Sequence, residues 1–315
     1  MTVSNAYNYE LSVFIPARDE SASLQKVLKK IESAFESLNL KSGEIIFVDD
    51  GSTDDSARIL KDLKSSYKLK IVTHKKSLGL TAAMKSGFSV AEGEYLIFLP
   101  GDLESDPESD IPILYSKLQE GFDVVSGYRQ GRKDGKVLAS RVYNFVSRKL
   151  FHLDLHDMNW IKGFRLEVLR DIELRSDWHR FIIMIAADMG YSVAEVPVSW
   201  HPRIGGRSKF GFLRIPISFF DVLALKFLLM FRKKPMLFYG TVAFSMLFGG
   251  VMIGIVLVSL WLLKGVQIRP FLQLAFFLLL SGMFILMVGF LAEQIASLQD
   301  RVDKLCKSCE DRCPK

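Results

Sequence analysis

Acidic residues follow three apolar segments that are typical of buried strands. These acids are Asp19, Glu20, Asp49, Asp50, Asp102 and Glu104. Because parallel strands present their carboxyl ends at one edge of a sheet, we expect these carboxylates to lie along the same edge. Carboxylates gathered beside a diphosphate require a cation, and Mg²⁺ or Mn²⁺ accepts such oxygen ligands. The pattern predicts a metal-assisted nucleotide site, although each acid alone is also typical of a helix cap or a solvated turn.

Strand and helix patterns alternate along the first two thirds of the chain. The predicted strands are Leu11–Ile15, Ile45–Val48, Leu69–Thr73, Tyr95–Leu99, Val124–Ser126 and Ser192–Ser199. The predicted helices are one capped by Ser21, one carrying Ala57, Leu60 and Leu63, and Leu80–Val90, Ile111–Gln119, Lys136–Leu150 and Trp178–Met189. This alternation predicts an α/β domain with a mostly parallel sheet that is covered on both faces.

Two common nucleotide-binding signatures are absent from the sequence. The first predicted strand is not followed by G-x-G-x-x-G, and G-x-x-x-x-G-K-[ST] occurs nowhere. The chain therefore lacks the dinucleotide fingerprint and the P-loop, in which glycine-rich backbone holds the phosphates.

The C-terminal third contains two long segments without a charged residue, Met236–Leu263 and Phe271–Ala292. Each exceeds the roughly 20 residues that a helix needs to span a bilayer, and the short linker Lys264–Pro270 predicts a hairpin. Leu213–Phe231 is typical of an amphipathic helix on the membrane surface. The basic run at 232–234 favours a cytoplasmic start of the first span.

Apolar residues continue beyond the second span at spacings of three and four. They are Leu291, Ile295, Leu298, Val302 and Leu305. This spacing predicts that the span continues into a helix that packs on itself or on a partner. The chain's three cysteines, Cys306, Cys309 and Cys313, follow directly. They exclude a disulfide framework for the body of the protein and indicate either reduced thiols or a metal site that is one ligand short.

The charge distribution favours a lipid partner over a nucleic acid. The 315-residue chain has a net charge of +6, and much of the basic excess lies between Arg129 and Lys234, beside the apolar segments. No nucleic-acid-binding signature is present. The N-terminus lacks a basic region followed by an apolar run, so we expect no signal peptide and a catalytic part that stays in the cytoplasm.

Three segments, Ser12–Glu20, Val48–Asp54 and Leu78–Gly87, resemble family-2 inverting glycosyltransferases. Gly190–Val198, followed by Arg203–Phe210, is similar to the polyprenyl-phosphate branch of that family. This branch includes dolichol-phosphate mannose synthases and bacterial undecaprenyl-phosphate glucosyltransferases. The resemblance implies a GT-A-type fold. The Q-x-x-R-W sequence of the processive polysaccharide synthases is absent, which argues against polymerisation.

The resemblance also implies roles for individual residues. The nucleotide-sugar site would contain Pro16, Ala17, Arg18, Glu20, Asp49, Asp50, Gly79 and Lys85. The acceptor phosphate would be bound by Arg129, Arg141, Arg203, Ser208 and Lys209. The catalytic acids would be Asp102, Glu104 and Asp157, with Asp102 and Glu104 also holding the metal. Pro100 departs from the family's D-x-D motif, and Asp157 and Asn159 are alternative matches to its later acidic motif.

The resemblance implies transfer of a single hexose from a nucleotide-diphosphate sugar to polyprenyl phosphate, with inversion and with Mg²⁺ or Mn²⁺. A UDP-sugar is favoured over GDP-mannose. The expected arrangement is a cytoplasmic catalytic domain (1–210), a juxtamembrane helix (211–235), a transmembrane hairpin (236–292) in the inner membrane and a cytoplasmic tail (293–315). A homo-oligomer is an option, and nucleic acid is not an expected partner. The alternatives are a membrane glycosyltransferase acting on a glycan or another lipid, and a non-catalytic scaffold that binds lipid phosphate.

Overall fold

The computed structural model describes residues 7–130, 151, 153–175, 177–201, 223–228, 235–266 and 268–310. The chain divides into two compact units, Met1–Val222 and Leu223–Lys315. The predicted helix Lys136–Leu150 lies outside the described residues. Of the predicted surface helix Leu213–Phe231, only residues 223–228 are described, and they are helical.

Seven strands of the first unit form one sheet. They are β1 (Tyr9–Ala17), β2 (Gly43–Asp49), β3 (Lys68–Thr73), β4 (Gly93–Phe98), β5 (Val124–Arg129), β6 (Lys162–Arg165) and β7 (Val193–Val198). Their order across the sheet is β3-β2-β1-β4-β6-β5-β7. All neighbouring strands are parallel except β6, which is antiparallel to both β4 and β5. The mostly parallel α/β sheet that the sequence predicts is confirmed.

The helices of the first unit are α1 (Leu24–Ser37), α2 (Ser56–Asp62), α3 (Leu80–Val90), α4 (Pro107–Gln119), α5 (Leu166–Asp171) and α6 (Ile182–Asp188). The predicted helix Trp178–Met189 is wrong in one respect, because its first turn is a separate 3₁₀ turn, Trp178–Arg180. The predicted cap is also wrong. Ser23 is the N-cap of α1, whereas the backbone N–H of Ser21 donates to Asp54.

Alternating residues of β1 bury side chains on opposite faces of the sheet. Val13 and Ile15 belong to the apolar core that also contains residues of α1 and α4, including Ile31. Phe14 points to the other face and meets Phe88 of α3, with ring centroids 5.6 Å apart. Helices therefore cover both faces of the sheet at β1, as the alternation of elements predicts.

The second unit contains two long helices, α7 (Pro235–Lys264) and α8 (Arg269–Glu310). Both are long and apolar enough to cross a membrane. They pack against each other, which agrees with the predicted hairpin. As predicted, α8 continues past the apolar segment as one uninterrupted helix.

Candidate active site

The three strands with acidic ends are neighbours in the sheet. β1 lies between β2 and β4 and is parallel to both. Ala17 at the end of β1 is in register with Asp49 at the end of β2, and Phe14 is in register with Phe98 at the end of β4. The loops that begin at residues 18, 50 and 99 therefore leave the same edge of the sheet, where α/β proteins bind ligands.

The loops after β1 and β2 are joined by hydrogen bonds between them. Asp19, which has a left-handed backbone (φ 57°), accepts hydrogen bonds from the backbone N–H (2.7 Å) and hydroxyl (3.1 Å) of Thr53. Its own N–H donates to Ser52 Oγ at 3.0 Å. The hydrogen bonds from Thr53 lower the pKa of Asp19. Asp19 acts as a brace that fixes the backbone of the Pro16–Glu20 segment.

Asp54 makes a second connection between the same two loops. Asp54 Oδ2 accepts the N–H of Ser21 at 3.2 Å, and Asp54 Oδ1 accepts the N–H of Ser56 at 2.9 Å. Although burial opposes ionisation, hydrogen bonds from Ser56 and Ser21 lower the pKa of Asp54 to about 2. The first two loops therefore form one connected rim to the site.

Asp50 organises the loop that leads into α3. Its carboxylate is almost fully buried and accepts hydrogen bonds from Ser77 Oγ (2.8 Å) and from the N–H groups of Leu78 (2.8 Å) and Gly79 (2.9 Å). It also pairs with His74 Nδ1 at 2.8 Å. Burial opposes ionisation, but these hydrogen bonds together lower the pKa of Asp50. The Asp50 carboxylate thus shapes the rim of the site through its own loop contacts.

Gly51 allows the loop after β2 to lie close to the backbone of Lys76 and Ser77. Its φ is +66°, and a Cβ at this position would lie 2.5 Å from the carbonyl carbon of Lys76 and from the nitrogen of Ser77. Both the backbone conformation and the space available select glycine here.

Asp102 and Glu104 lie on the turn that follows β4. Asp102 Oδ1 accepts the N–H of Glu104 at 3.1 Å, and Leu103 between them has a φ of 58°. The turn is held from both sides: Ser23 Oγ donates to Gly101 O at 2.6 Å, and His201 N donates to Glu104 O at 2.9 Å.

The acids on this turn supply oxygen ligands of the type that Mg²⁺ and Mn²⁺ bind. Asp106, not Glu104, is the N-cap residue of α4. In the described part of the chain, no group of three His, Cys, Asp or Glu side chains has the arrangement of a metal site. Magnesium at nucleotide sites is commonly held by one or two carboxylates together with substrate phosphates. A pair of acids on one turn fits that donor set.

Arg129 and Asp157 form a nearly buried ion pair at the far side of β4. Arg129 Nε lies 2.7 Å from Asp157 Oδ2, and the guanidinium stacks on Trp160 at 4.6 Å from the ring centroid. The N–H of Asn159 donates to Asp157 Oδ1 at 3.1 Å, whereas the Asn159 side chain is exposed. Of the two sequence alternatives, Asp157 is the one whose carboxylate joins the cluster of charges.

Sequence reasoning did not identify Lys162, which lies beside this ion pair. Its side chain is fully buried, and Nζ donates to Trp160 O at 2.8 Å. Burial lowers the pKa of Lys162 to about 8; the charge of Asp157 opposes this shift and that of Arg129 adds to it. In the sequence, Lys162 lies within two residues of Trp160, Ile161 and Phe164. This apolar neighbourhood is the feature that could have indicated a buried lysine.

Glu195 of β7 holds the segment that carries Asp157. Its carboxylate accepts the N–H groups of His156 (2.7 Å) and Asp157 (2.8 Å) and pairs with His156 Nδ1 at 2.7 Å. The sequence motif around Gly190–Val198 included this residue without indicating its role.

The remaining predicted residues fall into two groups. Gly79 lies at the N-terminus of α3 with φ +91°, and Lys85 is exposed on that helix. Near Gly79, Thr81 Oγ1 lies 2.9 Å from His179 Nδ1, which connects α3 to the 3₁₀ turn. The predicted acceptor-site residues Arg141, Arg203, Ser208 and Lys209 lie outside the described residues.

The sequence profile of glycosyl transferase family 2 matches residues 12–185. This stretch runs from β1 into α6 and includes all three acidic strand ends. The chain belongs to glycosyl transferase family 2.

Family 2 relatives with named activities align with most of this glycosyltransferase. The dodecaprenyl-phosphate galacturonate synthase of Rhizobium johnstonii is 30% identical over 308 residues, covering 93% of this chain and 90% of the relative. The undecaprenyl-phosphate 4-deoxy-4-formamido-L-arabinose transferase of Salmonella choleraesuis is 28% identical over 263 residues, covering 82% and 78%.

The fold of this family 2 chain is also similar to solved structures. Glucosyl-3-phosphoglycerate synthase from Mycobacterium tuberculosis, crystallised with Mn²⁺, UDP and glucosyl-3-phosphoglycerate, superposes with a TM-score of 0.53 at 19% identity. The superposition covers 70% of this chain and 79% of the synthase. At this identity the likeness establishes the GT-A-like fold.

Proposed function

We propose that this family 2 glycosyltransferase transfers one sugar from a nucleotide-diphosphate sugar to a polyprenyl phosphate, with inversion at the anomeric carbon. The observation that carries the proposal is the extent of the alignment. The relative named for dodecaprenyl-phosphate galacturonate synthesis aligns with 93% of the chain, so the likeness reaches beyond the catalytic fold into the apolar helices. A lipid-linked acceptor lies in a membrane, which explains why the enzyme would carry two helices apolar enough to enter one.

The donor is proposed to bind at the edge formed by β2, β1 and β4. The braced loops hold Pro16, Ala17, Arg18 and Glu20 as the predicted wall for the base and ribose. Asp50 contributes indirectly, because its carboxylate is occupied by Ser77, Leu78 and Gly79 and fixes the loop shape. UDP is the proposed nucleotide in preference to GDP, since the solved structures with this fold include UDP complexes.

Asp102 and Glu104 are the residues proposed to hold Mg²⁺ or Mn²⁺. When bound, the cation would neutralise charge on the departing diphosphate. The protein's part is to keep the two carboxylates on a short turn whose backbone is fixed by Ser23 and His201. Pro100, at the position of the first acid of D-x-D, leaves Glu104 as the second carboxylate of the pair.

The acceptor phosphate is proposed to be the nucleophile itself. A phosphate monoester has a second pKa of about 6, so it is mostly a dianion at neutral pH and needs no catalytic base. The task of the protein is then to bind two anions side by side, which requires positioned cations. Arg129 uses Nε for Asp157, and its guanidinium has further N–H donors that suit a phosphate. Arg141, Arg203, Ser208 and Lys209 are proposed to complete this site.

The two apolar helices are proposed to anchor the enzyme in the inner membrane, with the catalytic unit and both termini in the cytoplasm. The basic run at 232–234 precedes the first of these helices, as the positive-inside rule expects. This arrangement places the catalytic unit on the side where nucleotide sugars are made. Labelling of a cysteine introduced at Val266 by an impermeant reagent in intact cells tests the orientation; labelling of Cys306 instead would reverse it.

The deciding experiment is transfer by the purified full-length chain. Undecaprenyl phosphate is incubated with a panel of UDP-sugars and with GDP-mannose, and lipid products are identified by mass spectrometry. We expect one sugar per lipid, loss of the product in EDTA, and recovery with Mg²⁺ or Mn²⁺. Asp102→Asn should nearly abolish transfer, and Glu104→Gln should impair it. Transfer to a glycan alone would favour the first alternative, and neither transfer nor donor hydrolysis would favour a non-catalytic scaffold.

The acceptor assignment has its own test. Losing one charge-assisted contact typically costs about 1.5–3 kcal/mol, so Arg203→Ala or Lys209→Ala should raise the KM for lipid phosphate about 10- to 150-fold. Donor affinity, measured by UDP titration, should stay unchanged. Weaker UDP binding with unchanged acceptor kinetics would show that these residues belong to the donor site.

A further inference from the structure

The helix α8 packs on α7 with one side only. Along this side, Ala275 is buried, and a Cβ on Gly282 would lie 2.8 Å from Leu247 Cγ. Likewise, a Cβ on Gly289 would lie 2.8 Å from Tyr239 Cβ. These three small residues recur every seven positions, and they let the two helices approach closely.

A second apolar stripe runs along the other side of α8. Its members are Val288, Leu291, Ile295, Leu298, Val302 and Leu305. Their side chains are between 46% and 66% exposed. At 100° per residue, the centre of this stripe lies roughly 170° around the helix from the side that faces α7. The stripe is therefore not part of the hairpin interface.

The second half of the stripe lies on a part of α8 that extends past α7. Glu293 Oε2 accepts the N–H of Met236, one residue after α7 begins at Pro235. From Glu293, α8 continues to Glu310, a further length of about 25 Å at 1.5 Å per residue. Seven residues of this overhang, from Glu293 to Glu310, are charged, so we expect the overhang to lie in water. An exposed apolar stripe on such a helix marks an interaction surface.

The residue types in the stripe specify the kind of partner. Spacings of three and four alternate from Val288 to Leu305, which is a heptad pattern. The β-branched residues Val288, Ile295 and Val302 occupy one core position, and leucines occupy the other at 291, 298 and 305. β-Branched residues at a and leucine at d favour parallel two-stranded coiled coils.

Membrane insertion supplies the parallel orientation. Copies of one protein in one membrane insert in the same direction, so their α8 overhangs leave the bilayer side by side. We propose that the stripe from Val288 to Leu305 pairs with the same stripe of a second copy, forming a parallel two-stranded coiled coil. An overhang lying flat on the bilayer would require a sharp bend after the span, whereas α8 is one continuous helix.

Site-specific cross-linking of the full-length chain in native membranes tests the proposal. Single cysteines are placed at Val302, in the stripe, or at Ser297, an exposed residue on the outer side of the overhang, after Cys306, Cys309 and Cys313 are changed to serine. With a mild oxidant, Val302→Cys should convert to a covalent dimer, and Ser297→Cys should remain monomeric. Equal cross-linking at both positions, cross-linking of Val302→Cys to a different protein, or no cross-linking at either position would overturn the proposal.

A second measurement does not depend on cysteine chemistry. The wild-type chain and a Leu298→Asp/Leu305→Asp variant are purified in detergent, and particle mass is measured by light scattering. The variant should have half the protein mass of the wild type, because buried aspartates at two core positions oppose pairing. An unchanged protein mass in the variant, or a monomeric wild type, would overturn the proposal. Donor binding by UDP titration confirms that the variant is folded.

Discussion

Changing Asp157 to asparagine should destabilise the catalytic unit through the buried lysine beside it. The Asp157 side chain is 11% exposed and pairs with Arg129 at 2.7 Å, while Lys162 is 2% exposed. Without the carboxylate charge, two cations remain near each other in a nearly dry environment. Removing one partner of a buried ion pair typically costs about 3–5 kcal/mol. We expect a fall of several degrees in the apparent thermal midpoint of Asp157→Asn.

Changing Lys162 to methionine should have the opposite effect at neutral pH. Burial lowers the pKa of Lys162 from 10.5 to about 8, so the native state holds its proton less tightly than the unfolded chain does. At about 1.4 kcal/mol for each tenfold change in proton affinity, the ionised amine costs up to about 3 kcal/mol at pH 7. Native Lys162 becomes neutral above pH 8, so wild-type stability rises with pH and the advantage of methionine should shrink between pH 7 and pH 9.

The double variant tests whether Asp157 and Lys162 interact. If Asp157 stabilises the charged amine, Asp157→Asn should cost less in a Lys162→Met background than in the wild type, by more than about 0.5 kcal/mol. Thermal midpoints of the full-length chain in detergent, measured at pH 7 and pH 9, give all four corners of the cycle. Lys61→Met, at an exposed lysine on α2, is the control and should show no such pH trend. Equal costs in both backgrounds would mean that Asp157 and Lys162 do not interact.

Three further substitutions test other parts of the catalytic unit. Burial raises the pKa of Asp110 to about 6, so the contribution of this group to the free energy of unfolding is favourable at low pH and is lost as pH rises through 6. Asp110→Asn should therefore raise the thermal midpoint at pH 7.5 but not at pH 4. Gly51→Ala should lower the midpoint and weaken UDP binding far more than Gly121→Ala, which has φ +103° but open space around its Cβ. Glu195→Ala leaves the N–H of Asp157 without its acceptor, at about 1–3 kcal/mol, and should speed hydrogen exchange at residues 153–160.

The elements that sequence reasoning found are those with strong local patterns. The predicted strand Leu69–Thr73 lies within β3, and the predicted helix Leu80–Val90 coincides with α3. β6 was missed because its four residues include a glycine and two cations, and its strand conformation is imposed by pairing with β4 and β5 on both sides. No local signal encodes such a strand.

The acids at the candidate site show the same division. The sequence predicts the edge on which they lie, because parallel strands present their carboxyl ends at one edge of the sheet. It did not separate their roles. Asp50 accepts hydrogen bonds from donors 24 to 29 residues away, and Asp19 accepts them from a residue 34 positions away. Roles that depend on distant donors become visible only when the loops are folded together.

The contacts of these acids divide the rim of the site into fixed and adjustable parts. Asp19, Asp50 and Asp54 accept hydrogen bonds chiefly from the loops that they join, so their carboxylates fix the conformation of these loops. Asp102 and Glu104 lie on a turn whose backbone carbonyls at Gly101 and Glu104 accept hydrogen bonds from Ser23 and His201. Within the turn, Asp102 Oδ1 accepts the N–H of Glu104, and the side-chain oxygen of an asparagine can accept the same hydrogen bond. A substitution that neutralises Asp102 should therefore change chemistry without unfolding the rim, whereas one that neutralises Asp50 should do both.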